Sequence, residues 1–193
     1  MLLSAIVVRV IDESGRPDLE ELIKSAAIGV IKQTHAKANF RRDLQEEHIV
    51  VPSPAQTIRL TLPPRFRKFS NIVIADNFGR PLAVVEQTSP TALLDVYGKM
   101  PQKPSAYVSG NTYTVLANRY GLPISYLFVS YYQTPVVENL GDTTWLTELY
   151  PEVVVNYALF KVYSKTGNDA KAQQSYGLYA EELQTVLSDQ DTD

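Results

Sequence analysis

"DTTWLTELYPEVVVNYALFKVY" (Asp142–Tyr163) holds the only tryptophan of the chain, a proline about one turn later, and apolar residues almost all the way round a helical wheel. The spacing predicts a helix, since a proline is tolerated in a first helical turn but not in a helix interior. The helix proper is therefore expected to begin at Pro151, with Trp145–Tyr150 as a separate turn. Val153, Val154, Tyr157, Ala158 and Lys161 can line one face, and Val155, Leu159, Val162 and Tyr163 lie partly round the other. A helix apolar on more than one stripe needs neighbours on more than one side. The expectation is that it packs inside its own subunit and also towards another.

Working outward, Gly167-Asn168 ends this helix, and Asn168 or Asp169 caps a second one to about Leu187. Ala172, Tyr176, Tyr179, Ala180, Leu183 and Leu187 form its stripe, so the two helices make an αα-hairpin. At the other end of the chain, Leu19, Leu22, Ile23, Ala26, Ala27, Val30 and Ile31 recur at helical spacing and predict a helix over 18–40 with Asp18 as N-cap. Leu3, Ile6, Val7, Val10 and Ile11 favour a further short helix, stopped at Gly15.

Between the helices the periodicity changes to two. Runs at 48–51, 57–62, 71–75, 81–86, 106–110, 112–116 and 125–132 alternate or are rich in β-branched and aromatic residues. Asp76-Asn77-Phe78-Gly79 and Gly110-Asn111 are hairpin loops with glycine where a positive φ is needed. Ser89-Pro90 predicts a short helix to about Tyr97. The fold class is α+β: a helical bundle, made of the N-terminal helices and the C-terminal αα-hairpin, with an inserted antiparallel β region. The expected organisation is one domain over 1–193, divided into N-terminal helices (1–46), the β insertion (47–136), the αα-hairpin (142–187) and an acidic tail (188–193).

Composition narrows the function. The chain has 193 residues, 45% hydrophobic and 20% charged, with a formal charge of −3. That balance argues for a globular chain and against a nucleic-acid footprint spread over the whole surface. The absence of cysteine excludes disulfides, thiolate metal sites and cysteine nucleophiles. No apolar run approaches the roughly 18 residues of a membrane span, and the apolar start lacks the basic segment of a signal peptide. No membrane partner is expected.

Chemistry-bearing motifs are sparse. His35 and His48 lack an acidic partner at metal-ligand spacing and read as structural. Asp76 and Asp95 could form an acid/base pair, but Asp76 sits in a hairpin tip, where aspartates form turns. Neither a nucleophile elbow nor a phosphate-binding loop is present. The expectation is no enzyme, no metal and no cofactor. One electrostatic contrast stands out. Five basic residues (Arg59, Arg65, Arg67, Lys68, Arg80) against one acid, Asp76, lie between Arg59 and Arg80, whereas Glu181 to Asp193 holds five acids and no base. These read either as two solvated surfaces or as complementary patches in an assembly. The twelve tyrosines favour a tyrosine-rich sheet, and suit wet interfaces too.

The order of motifs resembles a known family. An apolar-striped helix is followed by "LPPRFRKFSNIVIADNFGRPL", "KPSAYVSGNTYTV", "LFVSYYQTP" and "WLTELYPEVVVNYALFKVY". Pro104 with Tyr107 and Gly110, the Tyr131-Tyr132 pair, and Trp145-Leu146 before Tyr150-Pro151 carry the likeness, over about Asp18 to Leu187. It is similar to the head-to-tail adaptor (connector) proteins of tailed bacteriophages, short-tailed type. It departs at Ala117-Asn118, where such proteins often have a proline. The resemblance implies a non-catalytic virion protein at the head–tail junction, assembled in the host cytoplasm into a ring of about twelve copies. The implied partners are other copies of the chain, the portal protein, a tail or nozzle protein, and genomic DNA passing through the channel without sequence-specific binding. On this reading Tyr176, Tyr179, Leu183, Asp189, Asp191 and Asp193 face the portal, and Arg65, Arg67 and Lys68 contact the tail or a neighbour. The alternative from another class is a sugar- or protein-binding module whose tyrosines offer stacking platforms.

Overall fold

The computed structural model describes residues 1–89, 102–117 and 123–189. The chain divides into two compact units: a helical unit of Met1–Asp43 with Thr134–Asp193, and a β unit of Leu44–Gln133. The architecture is α+β. The short helix expected from Ser89 to Tyr97, and Asp95 with it, lie outside the described residues.

The helical unit contains α1 (Leu3–Ser14), α2 (Glu20–Lys37), α3 (Trp145–Leu149), α4 (Pro151–Lys165) and α5 (Asp169–Ser188). Each end has a local cause. Gly15 closes α1 in the left-handed region at φ 65°, its N–H bonded to the Ile11 carbonyl at 2.8 Å. Thr144 and Thr147 form a reciprocal capping box at the start of α3. Pro151 is the first residue of α4, which separates it from α3 as expected. The Asn168 side chain caps α5 by accepting from the Lys171 N–H. Asp18 does not cap α2. It lies in a 3₁₀ turn, Pro17–Leu19, bound by the Arg16 guanidinium at 2.7–2.8 Å, which lowers its carboxyl below the ordinary value.

Helix α4 answers the question its sequence raises. Val153, Val154, Val155, Ala158, Leu159 and Val162 are all buried. α1, α2, α3 and α5 pack against it, and these residues join Leu3, Ile6, Val10, Ile23, Val30 and Ile31 in one core. The valine, alanine and leucine positions of both faces are thus covered inside the chain, whereas Tyr157, Phe160, Lys161 and Tyr163 stay partly exposed.

The β unit has two four-stranded sheets. β1 (Leu44–Ala55), β8 (Ile124–Gln133), β3 (Phe66–Ala75) and β4 (Pro81–Val84) form the first, in that order. β2 (Thr57–Thr61), β7 (Thr112–Leu116), β6 (Ser105–Ser109) and β5 (Glu86–Gln87) form the second. Among the described residues the pairings are antiparallel, as expected, apart from the two-residue strand β5, which runs parallel to β6. The strong run at 125–132 lies in β8, which sits between β1 and β3. Its Leu127, Val129 and Tyr131 face a core shared with Ile72, Ile74, Tyr113 and Val115. Phe69 and Tyr113, from different sheets, meet with ring centroids 4.9 Å apart. Gly110 (φ 59°) turns β6 into β7, and Gly79 (φ 77°) closes the β3–β4 loop.

Candidate interaction surfaces

In the helical unit, the 3₁₀ turn Arg41–Asp43 carries a buried carboxylate towards α2 and α3. His35, on the last turn of α2 and fully buried, places Nδ1 2.7 Å from Asp43 Oδ2. The indole Nε1–H of Trp145 donates to Asp43 Oδ1 at 2.8 Å. His35 meets Trp145 edge-on at 5.0 Å and Phe40 at 5.8 Å, and Phe40 lies 4.8 Å from Trp145. A buried carboxylate is costly unless hydrogen-bonded, and here two ring N–H groups serve it. Nε2 of His35 is buried without a partner among the described residues. The Asp43 carboxylate ties the last turn of α2 to the 3₁₀ turn and, through the indole, to α3. Among the described residues no cluster of three or more His, Asp or Glu is placed to hold a metal, and no helix is long and apolar enough to cross a membrane.

Beside this junction an open pocket of about 290 Å³ is lined by Phe40, Arg41, Arg42, Trp145, Tyr150, Val186 and Asp189. The Tyr150 hydroxyl donates to the Asp189 carboxylate at the end of α5. Of the residues expected to face the portal, Asp189 is on this rim and Tyr176 is half exposed at 50%. Tyr179 and Leu183 are buried in the core, and burial pushes the Tyr179 phenol up. Both lie on the core side of α5. Asp191 and Asp193 lie outside the described residues.

In the β unit, Pro63, Pro64, Arg65 and Phe66 form a tight turn, the Phe66 N–H bonding the Pro63 carbonyl at 3.3 Å. Arg65 sits at its third position with φ 59°. A type II turn puts a positive φ there and favours glycine, so an arginine is strained. Arg65 and Lys68 are exposed and Arg67 is half-buried. The periodicity starts a strand only at Asn71, but β3 starts at Phe66, so Arg67 and Lys68 are strand residues. Pairing with β8 reaches them through two register shifts, and irregular pairing leaves no clean alternation in the sequence. Phe66 and Phe69 stack at 4.5 Å and anchor the segment to the core, as expected.

The same unit carries a surface that sequence reasoning missed. At the β3–β4 tip, Asp76 Oδ1 accepts from the N–H groups of Phe78 and Arg80, both at 2.8 Å. Asp76 is thus the turn former it was read to be. Phe78 on that tip is 76% exposed, with the Arg80 guanidinium 5.6 Å from its ring. Val50, Leu82 and Val84 are exposed on strands of the same sheet.

The helical unit thus holds an interlocked aromatic cluster, and the β unit exposes apolar and charged side chains. The sequence model of the SU10 adaptor protein family matches residues 1–193, and the chain belongs to that family. Its membership agrees with the phage adaptor class that the motif order resembles. No curated protein matches the chain.

Proposed function

We propose that the chain is the subunit of a ring of about twelve copies that joins the portal of a phage head to its tail. On this reading it is a structural, non-catalytic virion protein of a short-tailed phage, assembled in the host cytoplasm. Genomic DNA passes through the axial channel without sequence-specific binding. The family match over the full length, residues 1–193, carries the reading. The formal charge of −3 supports it, because a strongly basic lumen would hold phosphates rather than let them slide.

The whole chain acts as one adaptor domain in this proposal, the helices forming the bundle and the β unit the insertion. The portal-facing surface is the end of α5, where Asp189 meets the aromatic pocket and the acidic tail with Asp191 and Asp193 follows. Deleting residues 188–193 weakens portal binding and leaves the fold intact, since chain ends of this kind contribute little to a core. Arg65, Arg67 and Lys68 contact the tail or nozzle protein or an adjacent copy. Reversing all three to glutamate impairs that attachment without unfolding the subunit.

The decisive experiment mixes the purified chain with the portal protein of the same phage and measures particle mass and shape. A ring on the portal is the expected result. A chain that binds no portal at any ratio, yet retains a sugar ligand, would overturn the proposal in favour of the stacking module.

A further inference from the structure

We propose that neighbouring subunits of the ring meet head-to-tail, the outward face of α1 on one copy docking against the aromatic face shared by α4 and α5 on the next. The inference rests on the ring reading above and names the contact that builds it.

The two faces differ, as a head-to-tail contact requires. On α1, Leu3, Ile6, Val7 and Val10 are buried, which turns Ala5, Val8 and Asp12 away from the core. Val8 is 56% exposed, the largest exposure among the branched residues of that helix. It lies in a shallow groove with Ser4, Ala5, Arg9, Asp12 and Glu13. Arg9 is spoken for, bonded to Glu13 at 2.7 Å and to both carboxylate oxygens of Glu152 at 2.6 and 3.0 Å. One guanidinium against the carboxylates of Asp12, Glu13 and Glu152 leaves the groove apolar at its centre and acidic along its edge.

The second face is apolar and cationic. Phe160 of α4 and Tyr176 of α5 meet at 5.1 Å, and Tyr157 continues the row 6.0 Å from Phe160. The core side of α5 is already filled by Ala172, Ser175, Tyr179, Leu183 and Val186. Tyr176 is surplus to that stripe and 50% exposed. The Lys161 ammonium lies 5.1 Å from the centroids of both Tyr157 and Phe160, and Lys171 lies 5.3 Å from Tyr163 on the same helix pair. By helical spacing Glu181 and Glu182 fall on another side of α5 from Tyr176. An acidic groove holding Val8 and a lysine-capped aromatic row are complementary in both charge and apolarity. Within the subunit both α1 and α5 pack mainly on α4, which leaves Val8 and Tyr176 exposed for a neighbour.

The chain has no cysteine, which makes cross-linking clean. Val8→Cys and Tyr176→Cys are made singly and together, checked for an unchanged melt, assembled on the portal protein of the same phage and oxidised mildly. The double variant is expected to give a ladder of disulfide-linked multimers up to the ring. An equal mixture of the two single variants is expected to stop at dimers, and each single variant alone to stay monomeric on a denaturing gel. As a charge test, Asp12→Lys or Lys161→Glu alone weakens assembly by about two- to five-fold per contact, the size of an exposed pair, and the two together restore it. Wild-type rings with no ladder and no effect of charge reversal would overturn this interface while leaving the ring reading intact. Linkage of Val8→Cys to itself would overturn it in favour of a symmetric contact. Loss of portal binding by Tyr176→Asp with rings of unchanged size would return that face to the portal. Absence of any wild-type ring would remove the ring reading itself.

Discussion

The helical unit and the β unit spend their aromatic side chains differently. In the helical unit His35, Phe40 and Trp145 interlock around the buried carboxylate of Asp43, with two ring N–H groups aimed at it. In the β unit Phe66, Phe69 and Tyr113 pack by ring contact, and the Tyr113 hydroxyl is buried with no partner among the described residues. Apolar packing tolerates exchange of side chains of similar volume. A satisfied buried polar network does not, because each partner removed strands another. The helical unit therefore carries a directional lock, and the β unit a core that is apolar and a surface that displays.

The comparison breaks first at His35. Replacing it with leucine keeps the bulk but strips Asp43 of one of its two ring N–H donors in a buried site. Leaving a buried polar group short of a hydrogen-bond partner costs about 1–3 kcal/mol, and about 3 kcal/mol is expected here because the acceptor is a carboxylate. A denaturant melt of His35→Leu within about 0.5 kcal/mol of wild type would mean that Asp43 is not held as a buried charge. Trp145→Phe is the next test. It keeps a ring against Phe40 and removes only the N–H bond to Asp43, for which about 2 kcal/mol is expected, as for hydrogen bonds to charged groups.

The β unit should answer with the opposite sign. Burial pushes the Tyr113 phenol well above its usual value, so the group stays neutral, and its hydroxyl gains nothing in return for lost water. Tyr113→Phe removes that hydroxyl and keeps the ring against Phe69. A gain of about 1 kcal/mol is expected, since a buried unsatisfied polar group costs about that much or more. A loss of stability would reveal a partner for the hydroxyl and weaken the contrast between the units.

How far these features were legible depends on their range in sequence. The helices were, because their buried stripes repeat every three to four residues; even the break at Pro151 follows from the missing N–H of proline. The hairpin loops were legible through Gly79 and Gly110. The His35–Asp43 pair was not: a turn outside the helix brings the aspartate back, and no spacing rule anticipates it. The apolar surround of α4 announced several neighbours, but periodicity counts apolar faces without saying which chain covers each. The start of β3 at Phe66 was hidden because bulged pairing breaks the alternation through Arg67 and Lys68. Tyr179 and Leu183 were legible as stripe residues because they repeat at helical spacing, and they pack on the core side of α5.

The smallest effect on stability is expected at Phe78. Most of its ring is in water, so Phe78→Ala should shift the melt by no more than about 0.5 kcal/mol, the usual range for surface substitutions. Its loop should survive too, since Asp76 holds the tip through backbone N–H groups that the substitution leaves in place. A large aromatic on a loop whose backbone is pinned has less freedom to lose on meeting a partner, which suits a binding anchor. The exposed Val50, Leu82 and Val84 give the same sheet further apolar surface. Phe78→Ala is therefore expected to leave the isolated chain unchanged and to weaken attachment in the assembled particle. A stable Phe78→Ala subunit that assembles and attaches like wild type would leave display without a function in the β unit. A large loss of stability would instead place Phe78 in the packing of its own chain and erase the distinction between the two units at this position.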